Sequence, residues 1–381
     1  MTRRRYRGNV YMEWNFTQDY GKKKEGRDRG TRKREEGDSV TPDMIAGGIL
    51  MAAAGILQVS ARNISGFAEW YAVTVYPWIV GVYGRFCGIF PFSVVEFAIY
   101  FGLIFTIFYM ASHFRKWKLV LSKVFVFLAV IAFLFTVNCG INYYRRPFSS
   151  YLNLETRESS VEELEELCSY LVQMVNESVP EGEEGESQMT LALQGQRAME
   201  RLGEEYPQLA GYYPRPKPVL VSWILAVQQL CGVYSPFTVE ANYNWQMTRY
   251  NIPHTLCHEL SHLRGFMRED EANFIGYLAC IRSEEPYFQY SGYLMGWVYA
   301  GNALAAQDME RYAKLHSQLA SETAADLQEN NAYWNQYEGK VAEAANQMND
   351  AYLKLNDQED GVKSYGRVVD LMLAYYREGN E

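Results

Sequence analysis

The chain has 381 residues, with 36 Lys+Arg against 45 Asp+Glu, and its net charge of −9 disfavours a nucleic-acid binder that needs a basic face. Residues 1–143 hold 18 basic and 10 acidic side chains and the remainder 18 and 35, so two electrostatically different parts are joined end to end. An aromatic content of 15% excludes a disordered chain, and a mean hydropathy of −0.26 is too low for a fully polytopic membrane protein. A membrane part followed by a soluble part fits both.

Residues 1–40 are rich in Arg and Lys without apolar periodicity, which predicts a disordered basic tail. A membrane domain is expected over 41–146, with about three transmembrane helices. The first apolar run, Ile45 to Ala61, is just long enough to span, and the further apolar segments behind it favour a retained anchor over a cleaved signal. The aromatic, Pro-interrupted stretch Phe67 to Phe90 reads as lying on the membrane surface. Val94 to Met110 and Val124 to Tyr144 are the two cleaner spans, with Glu96 as the one acid inside them. Arg115, Lys116, Lys118 and Lys123 make the loop between these spans basic, which puts tail and loop inside and the chain after Tyr144 outside.

An extracytoplasmic domain is expected over 147–381. Ser159-Ser160 followed by Glu162-Glu163 predicts a capping box opening a helix to about Val175. An acidic loop over 180–187 and a helix from Met189 to Glu205 follow. Pro216 to Asn244 reads as short strands around a helical turn, and beyond Pro253 the chain is helical nearly to its end. The Ala- and Glu-rich helices from Asp308 to Leu355 show no functional content and are expected to form an outer layer.

At the strand-to-helix junction stands His258-Glu259-Leu260-Ser261-His262. On a helix the two imidazoles lie one turn apart on one face and can hold a single Zn²⁺, with Glu259 beside them to take a proton from a metal-activated water. Leu256, Leu260 and Leu263 provide a buried face, and Gly265 can end the helix in a left-handed cap. Glu269, Asp270 and Glu271 then open another helix. His254 reads as a supporting residue rather than a ligand, and His113 and His316 have no metal partner at useful spacing. The six cysteines, at 87, 139, 168, 231, 257 and 280, form no CxxC pair, which disfavours a cysteine zinc site. Pro236 to Asn242 is placed to act as an edge strand for an extended peptide. Tyr287, Tyr290, Tyr293, Tyr365 and Arg367 are candidate donors to a developing oxyanion.

Glu269-x-x-Ala272-Asn273 resembles the helix that supplies the third ligand in gluzincin metallopeptidases. That resemblance implies Glu269 as ligand and Asn273 as the group that orients a histidine. The six-residue gap between His262 and Glu269 is shorter than in the better-known gluzincins, and Glu271 remains an alternative ligand. The spans, PFTVEANYN, HTLCHELSHLRGFMREDEANFIGYLAC, YSGYLMG and AYLKLNDQEDGVKSYGRVVDLMLAYY together resemble an uncharacterised bacterial membrane family, filed as domain of unknown function 3810, over roughly Ile45 to Tyr376. The resemblance implies a metallopeptidase-like protein and no particular substrate. The expected fold is therefore α+β and mainly helical, with N-terminal transmembrane helices followed by a zincin-like metallopeptidase domain carrying a small β-sheet. The expected function is a multi-pass, membrane-anchored zinc metallopeptidase, with the lipid bilayer and a peptide or protein as partners. A non-catalytic zinc-binding membrane sensor or assembly protein is the competing expectation.

Overall fold

Among the described residues, three helices are long and apolar enough to cross a membrane: α1 (Pro42–Asn63), α2 (Val94–His113) and α3 (Trp117–Asn138). At about 1.5 Å per residue each measures about 30 Å, the thickness of a hydrocarbon core. The computed structural model describes residues 42–157, 159–180, 187–356, 358 and 365–380, so the basic tail and most of the acidic loop expected over 180–187 lie outside the described residues. The third span differs from the expected Val124 to Tyr144. It ends at Asn138, Cys139 leaves helical geometry with φ −142°, and Gly140–Tyr144 makes a tight turn whose Ile141 and Asn142 are buried in the protein. Hydropathy cannot distinguish apolar residues buried in protein from apolar residues facing lipid, and this segment is the former.

Residues 67–88 form a helical run with two wide turns. It does not lie wholly on a membrane surface as expected. Ala68, Tyr71, Tyr76, Val80 and Cys87 face inward and are buried, and all but Cys87 belong to the main core; Trp70, Trp78, Val82 and Phe86 face outward.

Beyond the membrane part, α4 (Val161–Glu177) opens on a capping box in which Ser160 and Glu163 exchange side-chain and backbone hydrogen bonds, and α5 (Gln188–Glu205) follows. The sheet has three short strands, β1 (Lys217–Pro218), β2 (Gly232–Ser235) and β3 (Glu240–Tyr243), in the order β1-β3-β2. β3 pairs parallel to β1 and antiparallel to β2. The expected edge strand over Pro236 to Asn242 is therefore corrected: its second half is the central strand, its first half is the turn from β2, and β2 is an edge. Helices α6 (Asn251–His262), α7 (Glu269–Ile281), α8 (Pro286–Gln307), α9 (Met309–His316), α10 (Ser321–Asn335), α11 (Lys340–Leu355) and α12 (Tyr365–Asn380) complete the described chain. α7 is buried from Asp270 to Cys280, and α6 packs along it.

The ends of the three apolar helices on one side all attach to this body. Arg62 of α1 donates to the Leu355 carbonyl at 3.4 Å. Asn138 of α3 donates to the Pro236 carbonyl at 2.6 Å and accepts from the Tyr234 hydroxyl at 3.1 Å. At α2 two carboxylates do the joining. Glu240 of β3 accepts the backbone N–H groups of Val94 and Val95 at 3.2 and 3.1 Å, satisfying orphan donors of the helix N-terminus. Glu96 accepts those of Leu220 and Val221 at 2.8 and 2.9 Å, so the one acid in the spans anchors a loop.

Glu240 is also paired with the ammonium of Lys217, and both side chains are buried. Glu240→Ala should lower stability by about 3–5 kcal/mol, because it strands a buried cation. Thermal unfolding in detergent measures this, and the Lys217→Met/Glu240→Leu pair should lose less; an equal loss would contradict the charge-stranding account.

Candidate metal centre

The site is built on α6. Leu256, Leu260 and Leu263 are fully buried and fix the roll of the helix, which leaves His258 and His262 together on another face, largely buried. Their rings are 5.0 Å apart between centroids. After Leu263 the chain must reverse within a few residues. Gly265 does this with φ +83°, a left-handed conformation that a side chain disfavours, and a Cβ there would also press on Asn142 and Arg145 at 3.2 Å. Arg268 is extended, and α7 starts at once with Glu269 in its first turn.

This reversal lays the Glu269 carboxylate against the histidine pair. His258 Nε2 is 3.3 Å from Glu269 Oε2, and His262 Nε2 is 4.0 Å from Oε1. One donor atom from each of the three lies within 4.8 Å of the others. The second ring nitrogens are tied down. His262 Nδ1 donates to the Phe266 carbonyl at 2.7 Å, and His258 Nδ1 meets Asn273 Oδ1 at 2.8 Å. The Phe266 carbonyl can only accept, and Asn273 Oδ1 also accepts the Tyr299 hydroxyl at 3.2 Å, so both Nδ1 atoms carry a proton and both Nε2 atoms are turned to the Glu269 carboxylate, His258 Nε2 as a hydrogen-bond donor. Two imidazoles and a carboxylate on converging vectors suit a divalent transition metal such as zinc, so the residues fit the ion.

The charges respond to this arrangement. Burial pulls the proton affinity of His258 down, but the adjacent Glu269 carboxylate outweighs it and raises its pKa to about 9. Burial acts to raise Glu269, yet the hydrogen bond and charge of His258, with the charge of His262, leave it below its ordinary value. For His262 burial dominates and its pKa falls to about 4. Glu259 lies beside the pair with its pKa pushed up to about 8, mainly by burial, and its Oε2 is buried with no hydrogen-bond partner among the described residues.

β2 closes one side. A Cβ on Gly232 would stand 2.5 Å from Glu259 Oε1, so only glycine lets the strand lie over this carboxylate. The Asn244 N–H donates to the Cys231 carbonyl at 2.7 Å, which makes Gly232↔Tyr243 and Tyr234↔Ala241 non-hydrogen-bonded pairs. The backbone groups of Gly232 and Tyr234 therefore face away from β3, and the Tyr234 N–H donates to the Glu259 carboxylate.

Other expected residues fall elsewhere. Glu271 points away, its carboxylate receiving backbone hydrogen bonds from Phe148 and Ser149, with burial raising its pKa to about 7. His254 bonds the Asn273 carbonyl at 3.1 Å and packs between the helices. His113 stacks on Tyr109 and His316 on Trp297. Tyr290 gives its hydroxyl to Asp326 and Tyr293 packs on Tyr170, both away from the histidine pair. Arg367 is helical rather than in a loop, with Nε 3.7 Å from Asp270, and the Tyr365 side chain lies outside the described residues.

Tyrosines that sequence reasoning did not single out surround the site instead. Tyr234 packs against His262 at 5.8 Å between centroids, and its hydroxyl meets that of Tyr76, which also reaches the His262 carbonyl at 3.2 Å. Tyr143 donates to Tyr352 at 2.9 Å, and both hydroxyls feel the Glu269 charge. Tyr352 stands on α11, which was expected to be an outer layer. With 30 tyrosines in the chain, no local pattern separates these four from the rest.

Two predictions follow from the geometry. Glu269→Ala should weaken zinc binding by at least about 10- to 100-fold, whereas Glu271→Ala should change it little, since two residues along a helix turn the side chain by about 200°; competition with a chromogenic chelator reads both. Because His258 holds a proton in the metal-free site up to about pH 9 and a ligand imidazole must be neutral, zinc binding at pH 7 should release about one proton or more. Affinity should then fall as pH drops below 9. Calorimetry in two buffers of different ionisation enthalpy measures the release, and a value of zero would contradict the His258–Glu269 coupling.

No curated protein and no solved structure matches the chain. A family model described as a protein of unknown function matches residues 71–373, a stretch that runs from the helical segment ahead of α2 to α12 and contains the whole site. On that match, the chain belongs to the DUF3810 family.

Proposed function

We propose that the chain is a membrane-anchored zinc metallopeptidase of gluzincin type, with His258, His262 and Glu269 as zinc ligands and Glu259 as general base. The observation that carries this reading is the convergence of the three donor atoms within 4.8 Å beside a buried Glu259 oxygen that has no partner among the described residues. A purely structural zinc site has no use for such a carboxylate. Zinc held there supplies a Lewis acid that acidifies water and polarises a peptide carbonyl.

The chain's own residues do the rest. Asn273 and the Phe266 carbonyl hold the two imidazoles in the ligating tautomer. Glu259, buried beside the histidine pair, takes the proton of the attacking water and returns it to the leaving amine. The outward backbone groups of Gly232 and the Tyr234 carbonyl on β2 form the edge on which an extended peptide pairs, replacing the edge expected over Pro236 to Asn242. Tyr143 and Tyr352 offer hydroxyls on the Glu269 side for the developing oxyanion. The basic residues around Lys116 and in the N-terminal tail favour an orientation with the site outside the cytoplasm.

The test is the purified full-length protein in detergent, loaded with zinc and given an unstructured peptide library. Glu259→Gln should retain zinc and lower kcat/KM by at least about 100-fold. Stoichiometric zinc without cleavage by the wild-type chain would favour the sensor or assembly reading. Loss of zinc binding by neither His258→Ala nor His262→Ala would remove the metal site itself.

A further inference from the structure

We propose that the peptide cut at this centre lies at the bilayer surface, in the segment directly adjoining a transmembrane helix of the substrate protein. This rests on the peptidase reading above. The height of the site relative to the apolar helices carries it. α1, α2 and α3 have the length of a hydrocarbon core, and their ends at Asn63, Val94 and Asn138 mark one face of the bilayer. The metal centre is one tyrosine side chain from that level. The Tyr234 hydroxyl touches the carbonyl of Asn138, the last residue of α3, at 3.1 Å, while its ring packs on the ring of His262. Tyr76 runs a parallel tie from the 67–88 segment to the His262 carbonyl. The turn after α3 reaches the far side of the site, where Cys139 Sγ meets Met267 Sδ at 3.8 Å and Arg145 donates to the Arg264 carbonyl.

The surroundings at the same level are apolar. Leu220 and Trp223 are 65% and 58% exposed, and the Leu220 N–H is held by Glu96 at the first turn of α2. α11 lies across the ends of α1 and α3, through Arg62 to the Leu355 carbonyl and through Tyr352 against Phe135. Val341, Met348 and Leu355 recur every seven residues along it and are all exposed, at 59, 74 and 74%. Large exposed apolar side chains at the ends of the apolar helices belong in the headgroup region, where they find an apolar phase, rather than in bulk water. A metal centre seated there meets juxtamembrane segments at high local concentration and is hindered from reaching a soluble folded protein.

The full-length protein reconstituted in phosphatidylcholine liposomes with zinc tests this. Two substrates share one unstructured 30-residue tract, one preceded by a transmembrane helix in the same bilayer and one untethered, with the length set by the reach of a chain at about 3.3–3.6 Å per residue. The tethered tract should be cut within about 10 residues of its helix and at least about 100-fold faster, the gain expected of a favourable tether. Equal rates, or cuts spread along the tract, overturn the proposal and leave the peptidase reading standing. No cutting of either tract by wild-type or Glu259→Gln protein overturns both. A second readout needs no turnover. A fluorophore on Val233→Cys in a Cys231→Ser background, where the other five thiols are buried, should be quenched at least about twofold by headgroup-labelled lipid if β2 sits in the roughly 5–10 Å interfacial layer. An unquenched label overturns the proposal alone.

Discussion

The arrangement of the site depends on one tight reversal. Six residues separate His262 from Glu269, and α6 and α7 can be neighbours only if the chain turns almost immediately after the second histidine. Gly265 makes that turn in the left-handed region, and the room its missing side chain leaves is taken by Asn142 and Arg145 from the end of the membrane part. Once α7 is docked in this register, Glu269 and Asn273 fall on one face, a turn apart, and both meet the α6 histidines. The same register turns Glu271 toward the N–H groups of Phe148 and Ser149, where it ties the segment after α3 to the central helix. A two-residue change in register would put Glu271 where Glu269 stands.

Electrostatics makes the cluster a poised site rather than a packed core. In the metal-free protein the His258–Glu269 pair offsets part of the desolvation that both groups suffer, while His262 stays neutral and Glu259 is driven toward its protonated form. A cation that replaces the His258 proton would restore both imidazoles to the neutral ligating state. Under the glycine strand, one Glu259 oxygen is left buried without a hydrogen-bond partner among the described residues.

The membrane part and the body are not independent modules. Residues of 67–88 and the turn after α3 share one core with α6 and α7, and hydroxyls of Tyr76 and Tyr234 bridge the end of α3 to the metal helix. The carboxylates of Glu96 and Glu240 do the same for α2, each capping or anchoring backbone donors that burial would otherwise leave unpaired. These polar ties across an apolar boundary hold the site at a set height relative to the spans.

Local signals in the sequence were enough to place the three apolar helices, the capping box at Ser160, the HExxH helix and the turn at Gly265, because each rests on residues within a few positions of one another. The spacing from His262 to Asn273 also contained the geometry of the cluster, since two helices and a one-glycine turn leave few registers. The tertiary structure alone decided the rest. Tyr76, Tyr143, Tyr234 and Tyr352 come to the site from four separated segments, and one apolar aromatic residue reads like another in a chain that has many. The end of α3 and the inward face of 67–88 were misplaced by hydropathy because a side chain's preference for leaving water does not say whether lipid or protein will receive it. Which strand forms the free edge was likewise undetermined, because β2 and β3 carry similar short apolar patterns and only their pairing order, β1-β3-β2, leaves β2 open beside the histidines.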